Sequence, residues 1–177
     1  LISGAENVAI GKQAGKAITT GGRNTIMGHT AGQALTTGGN NTFIGRTSGY
    51  AATRASSSVF LGDGAGESVT TGNMNIGIGQ NAMAGATTGD NNIAIGRYAG
   101  DALTSGKENV LMGQNAGSGM VTTTSCVAIG TNALKIADSA YDDKCVAVGA
   151  GTLQNQNGTS NSLNTAIGNM AANGITT

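Results

Sequence analysis

One pentapeptide returns down the whole chain. Asn7-Val8-Ala9-Ile10-Gly11 comes back as Asn24-Thr25-Ile26-Met27-Gly28 and Asn41-Thr42-Phe43-Ile44-Gly45, then from Ser58, Asn75, Asn92, Asn109 and Cys126, always 17 residues on. Two steps of 19 residues lead to Cys145 and Asn164. These ten copies leave no interval long enough for a domain boundary, so residues 1–177 read as a single repetitive domain. Each unit is too short to bury its own apolar side, and must bury it against its neighbours in a stack.

Numbering each copy from its Asn shows what the unit demands. Position 5 is Gly in all ten: Gly11, Gly28, Gly45, Gly62, Gly79, Gly96, Gly113, Gly130, Gly149 and Gly168. A Gly in every copy points to a corner whose backbone other residues resist. Position 4 is aliphatic or Met throughout, position 8 is Ala in eight copies, and position 12 is usually apolar (Ile18, Leu35, Val69, Leu103). Thr-Thr-Gly or a relative follows, as in Thr36-Thr37-Gly38. A helix fits badly, because Gly costs about 1 kcal/mol relative to Ala at each helical site. The chain has 31 Gly and no Pro, which suits a tightly wound, regular backbone. The expected fold is all-β, a parallel β-solenoid or β-roll of ten coils of 17–19 residues, starting at 7, 24, 41, 58, 75, 92, 109, 126, 145 and 164. Each coil is expected to carry a strand at positions 2 to 5 and a weaker second strand near positions 8 to 12. At about 4.8 Å per rung, ten coils make a rod on the order of 48 Å long.

Side chains alternate along a strand, so positions 2 and 4 share one face and position 3 lies on the other. Position 4, uniformly aliphatic or Met, suits the coil interior, although which of the two faces lines the coil stays open. Position 3 is also apolar, from Ile26 and Phe43 to Ala94 and Leu111, and is assigned to a second buried face. A parallel strand apolar on both sides is normally covered on both sides. One thin coil covers only one, so identical chains closing by cyclic symmetry are expected to cover the other, as a homotrimer.

Several functions lack a chemical basis. Nine basic and nine acidic residues give zero formal charge, with no Lys/Arg run to meet nucleic-acid phosphates. No segment approaches the roughly 20 apolar residues of a membrane-spanning helix, so membrane insertion is not expected. No signal peptide is legible in Leu1 to Glu6 and no Met opens the chain, which reads as a fragment or a processed product. His29 is the only His, with no Ser, Cys or Asp tied to it by spacing, so a catalytic triad has no support. Asp142 and Asp143, beside Asp138, Tyr141 and Lys144, fall in the lengthened eighth coil and read as a solvated loop rather than paired carboxylates across a cleft. No phosphate-binding Gly-Lys-Ser/Thr occurs. No enzyme activity, cofactor or metal is expected.

Three readings remain open at particular residues. Cys126 and Cys145 both stand at position 1 of consecutive copies and should stack one rung apart. They read as buried thiols replacing Asn, with a disulfide the sharper alternative and metal the least supported. Tyr50, Tyr98 and Tyr141 are candidate receptor contacts, since each ring offers a plate for a sugar, but they fall at positions 10, 7 and 16 and form no stripe. The recurring Thr pairs also allow an ice-binding array, interrupted by Thr53-Arg54 and Val121-Thr122.

The motif Asn7-Val8-Ala9-Ile10-Gly11, followed by Ala14-Gly15, resembles the head repeat of trimeric autotransporter adhesins. The 17-residue spacing, with Asn41-Thr42-Phe43-Ile44-Gly45 and Thr36-Thr37-Gly38-Gly39-Asn40-Asn41, more closely resembles repeats in bacteriophage tail fibres. The resemblance runs from about Asn7 to Thr177. It implies a left-handed roll, a homotrimer, and a structural and host-surface-binding role in a virion tail, with a host receptor, a glycan among the candidates, as partner. Assembly in a reducing cytoplasm would keep Cys126 and Cys145 as thiols. The alternative is an adhesin head on a bacterial surface.

Overall fold

The computed structural model describes residues 4–135, 144–155 and 163–174. It is all-β, with no helix among the described residues. Ten three-residue strands follow one another: β1 (Val8–Ile10), β2 (Thr25–Met27), β3 (Thr42–Ile44), β4 (Val59–Leu61), β5 (Ile76–Ile78), β6 (Ile93–Ile95), β7 (Val110–Met112), β8 (Val127–Ile129), β9 (Val146–Val148) and β10 (Thr165–Ile167). They form one parallel sheet in chain order, β1 to β10. Register is strict: Val8 faces Thr25, Ile93 faces Val110, and the 19-residue steps still bring Val127 opposite Val146 and Val146 opposite Thr165. The two extra residues in those coils therefore leave the pairing of the strands unchanged. Nine steps at about 4.8 Å make the sheet roughly 43 Å long.

Among the described residues, three lines of hydrogen bonds tie successive coils together, the third as far as the seventh coil. On the sheet, Val8 N–H donates to Asn24 C=O and Gly28 N–H to Ile10 C=O, both at 2.8 Å. On the second side Gly15 N–H reaches Ala31 C=O at 3.0 Å, and on the third Thr19 N–H reaches Thr36 C=O at 2.9 Å. The second side is not the strand expected at positions 8 to 12. It is a run of turns, closed by Ala14 N–H to Gly11 C=O at 3.2 Å and Ile18 N–H to Gly15 C=O at 3.1 Å. The cause is local: positions 7 and 9 take left-handed φ, 62° at Gln13 and 57° at Gly15, which curls a backbone that a strand would keep extended.

The interior corrects the face assignment. Position 3 lines the coil: Ile26, Phe43, Phe60, Ala94, Leu111, Ala128 and Ala147 are fully buried, whereas positions 2 and 4 face outward. Position 3 varies because, in most coils, its volume is traded against position 9 of the same coil; beside Ala94 and Gly100 the space is filled instead by Leu111 of the next coil. Phe43 and Phe60 stack with centroids 5.3 Å apart, and a Cβ on Gly49 or Gly66 at position 9 would meet their rings at 2.8 and 2.6 Å. Where position 3 shrinks to Gly77, Ala128 or Ala147, position 9 grows to Met83, Leu134 or Leu153, all buried. Uniformity at position 4 is thus no requirement of the coil's own core.

Candidate interaction surfaces

Positions 2 and 4 set two columns of side chains on the outer face of the sheet. Among them are Val59 and Leu61, Ile76 and Ile78, Ile93 and Ile95, and Val110 and Met112. Val59, Ile76, Ile78, Ile93, Ile95 and Val110 are half-buried; Leu61 is 42 % exposed and, at the ends, Ile10 and Ile167 are 55 % and 71 % exposed. No charged residue interrupts either column from β1 to β10. Isolated exposed aliphatics are ordinary on a protein surface, but a contiguous apolar strip marks an interaction site.

The ten position-5 glycines border this face. Their φ values run from 125° at Gly79 to 138° at Gly62. Close approach adds to the conformational demand: a Cβ on Gly11 would lie 2.5 Å from the carbonyl oxygen of Gly28 in the next coil. The backbone therefore excludes a side chain at this corner both by its φ and by the neighbouring rung.

Position 1 holds a ladder of side-chain amides. The side-chain oxygen of Asn24 accepts from Asn41 N–H and from Asn41 Nδ2, both at 3.0 Å, while Asn41 Nδ2 also donates to Ala55 C=O at 2.7 Å. Asn75, Asn92 and Asn109 repeat the scheme. Every lone pair and proton so placed is buried, and buried amides persist when each group is satisfied. Ser58 keeps part of the ladder, accepting from Asn75 N–H at 3.2 Å. Cys126 and Cys145 occupy the same column as buried thiols. Cys126 N–H donates to Asn109 Oδ1 at 2.9 Å, and Cys145 N–H lies 3.2 Å from Cys126 Sγ.

A second ladder runs at position 13. Thr36 Oγ1 donates to Thr53 C=O at 2.9 Å, Thr70 Oγ1 to Thr87 C=O at 2.9 Å, and Thr104 Oγ1 to Val121 C=O at 3.1 Å. These hydroxyl protons are committed to the next coil, which removes half of the Thr pairs from any array offered to ice.

Electrostatics along the remaining surface is local. Three exposed ion pairs, Arg23–Glu6, Arg46–Asp63 and Lys107–Asp90, each link adjacent rungs and contribute little individually. The backbone N–H of Asn73 holds the Asp90 carboxyl below its usual range, with Lys107 adding to the effect. Burial pushes Asp101 up, and its Oδ1 has no hydrogen-bond partner among the described residues. Thr123 Oγ1 is likewise buried without one.

The aromatic candidates are dispersed. Tyr50 is exposed at position 10. Tyr98 sits at position 7, with the Arg97 guanidinium 4.8 Å from its ring centroid. Hydrogen bonding by Arg97, and then by Asn81, lowers the pKa of its phenol. Tyr141, with Asp138, Asp142 and Asp143, lies outside the described residues. His29 is exposed, its Nδ1 3.5 Å from Thr30 Oγ1. Among the described residues no three His, Cys, Asp or Glu side chains gather in a metal-binding group, and no helix is long and apolar enough to cross a membrane. The surface depressions are open and shallow; one of about 310 Å³ runs along Ala5, Gly22 and Gly39 beside the Arg23–Glu6 pair. Against known proteins, no family model, no curated sequence and no solved structure matches this chain.

Proposed function

We propose that the chain is a structural and host-surface-binding segment of a phage tail fibre, in which three copies of the coil stack run side by side as a left-handed, trimeric rod. The observation that carries this reading is the uncovered aliphatic face along β1 to β10. A parallel sheet is ordinarily apolar on both faces because both are covered. Here the coil covers the face bearing position 3 and leaves positions 2 and 4 for another chain. Rods of like polarity packed about a common long axis close by cyclic symmetry, and three is the number implied by the resemblance to fibre and adhesin repeats. Once that face is inside, the turn sides remain outward, with their ion pairs and the two described Tyr residues. Force transmission and attachment suit such a body, in which the rungs from the first to the seventh coil are bonded on three sides. An adhesin head is the second reading, favoured by Asn7-Val8-Ala9-Ile10-Gly11 itself.

Adsorption tests the attachment half of the proposal. Fluorophore-labelled protein mixed with a panel of bacterial strains should decorate a subset of them, saturably, and be displaced by unlabelled protein. Blocking of a phage's adsorption to the same strains selects the tail-fibre reading over the adhesin. Equal staining of every strain, or of none, contradicts a host-surface role.

A further inference from the structure

The position-1 column changes chemistry late in the stack. Asn75 Oδ1 accepts both the backbone N–H and the Nδ2 of Asn92, and Asn92 Oδ1 accepts both from Asn109. The eighth and ninth rungs carry Cys126 and Cys145 in this column, both fully buried. An amide brings two N–H donors and a thiol one weak S–H, so sulfur does not repeat the ladder. Cys126 Sγ instead lies 3.8 Å from Thr124 C=O in its own coil and 3.2 Å from the Cys145 amide nitrogen in the next.

Register brings the two cysteines together although their step in the chain is 19 residues rather than 17. Val127 pairs with Val146, so the residues just before them stand on adjacent rungs. Neighbouring rungs are about 4.8 Å apart, inside the Cα separation of roughly 4.4–6.8 Å that a disulfide spans. The 3.2 Å approach to the Cys145 nitrogen shows that the Cys126 sulfur already points along the column toward its partner's rung. Full burial favours a bond between the pair over a lasting adduct with a larger thiol, which the closed column has no space to hold. A bond here would also fix the rung junction where sulfur has replaced the amide links.

We propose that Cys126 and Cys145 are a redox-timed staple: thiols in a reducing compartment, and an intrachain disulfide between the eighth and ninth rungs once the protein leaves it. The oxidant is a low-molecular-weight disulfide. The thiolate of one cysteine attacks it, the small S–S bond breaks, and one small thiol departs. The thiolate of the other cysteine then attacks the mixed disulfide, forming the Cys126–Cys145 bond and expelling the second small thiol. Two electrons pass to the small disulfide, and the two cysteine protons leave on the released thiols. The bond closes residues 127–144 into a loop, which restricts the unfolded chain. The staple does not rest on the tail-fibre reading, and neither adsorption nor trimer mass tests it. The full chain, purified under reduction, is held in mixtures of reduced and oxidised glutathione until its state no longer changes. It is then quenched in acid, unfolded and alkylated with iodoacetamide. In the oxidising mixtures mass spectrometry should find a chain lighter by two hydrogens, without alkylation or glutathione, and digestion should yield a peptide joining Cys126 to Cys145. The oxidised protein should melt several degrees above the reduced one. Cys126→Asn/Cys145→Asn, which carries the amide through both rungs, should melt at one temperature in every mixture. Two alkylated cysteines in the most oxidising mixture, a retained glutathione adduct or an interchain bond would overturn the proposal. So would an oxidised form that melts at or below the reduced one.

Discussion

Asn109 reaches Asn92 twice: its Nδ2 donates to Asn92 Oδ1 at 3.0 Å and its backbone N–H to the same oxygen at 3.1 Å. Asn92 Nδ2 meanwhile donates to Gly106 C=O at 2.9 Å within its own coil. One buried amide therefore holds a strand to its return turn and to the next rung. Asn92→Val should leave the Asn109 N–H and Gly106 C=O unpaired, at about 1–3 kcal/mol for each buried group. Asn92→Ser should cost less, because Ser58 already accepts from the rung above it. Exchange of the Asn109 amide proton, followed by mass spectrometry or NMR, checks this. It should quicken strongly in Asn92→Val and modestly in Asn92→Ser; equal rates in the two variants would contradict the ladder's role.

The two faces of β6 separate folding from assembly. Ala94 is fully buried inside the coil, whereas Ile95 lies on the outer column. Ala94→Asp places a charge in the core and should unfold the coil stack locally, since a buried unpaired charge is not tolerated. Ile95→Asp should leave the β spectrum intact and shift the protein toward monomer. Circular dichroism with sedimentation velocity distinguishes the outcomes. A folded, dissociated Ala94→Asp protein would return position 3 to the interface, against the fold described above.

Thr123 replaces the Gly or Ala found at position 15 of the preceding coils and brings a buried hydroxyl with no hydrogen-bond partner among the described residues. Its carbonyl, not its side chain, is used by Asn109 Nδ2, at 2.7 Å. Thr123→Val keeps the shape and removes the orphaned group, so stability should rise by about 1 kcal/mol. Urea titration reads the change as a higher midpoint; a lower midpoint would show that the hydroxyl is satisfied.

Asp101 predicts a pH dependence of definite sign. Burial raises its pKa in the folded chain above the ordinary carboxylate range. The folded state then holds this proton more tightly than the unfolded state. Its contribution favours folding below the unfolded value and is lost as pH rises through the folded one. Asp101→Asn should therefore melt higher than the wild type at pH 7, and the gap should close below about pH 4, where both states of the acid are protonated. Calorimetric scans at the two pH values check it, and a gap that widens on acidification would contradict the assignment.

The coil stack was legible because register in a solenoid is written as period. Asn7, Asn24 and Asn41 recur at fixed spacing, and the strands pair at that spacing. Gly79 and its equivalents were legible for the same reason, as a residue type with one conformational use. The direction of the faces was not. Uniform aliphatics at position 4 look like a core, and the mixed column of Phe43, Gly77 and Ala94 looks like a looser surface. In the coil the relation inverts, because position 9 compensates the volume at position 3 in most coils, as Gly49 does for Phe43 and Met83 for Gly77. The expected second strand failed on similar grounds: Gly15 and Gln13 carry left-handed turns that alternation of apolar residues does not report. Position 7 is left-handed in every coil, at Gln13, Thr47 and Tyr98 as at Asn81, and that mixture of residue types does not report it.

On the proposed reading, sister chains cover the largely apolar columns of β1 to β10, and solution mass tests that reading most directly. Sedimentation equilibrium of the purified protein across a dilution series into the low micromolar range should give three times the 17.3 kDa chain, unchanged on dilution. A well-folded species of single-chain mass over the same range would contradict it.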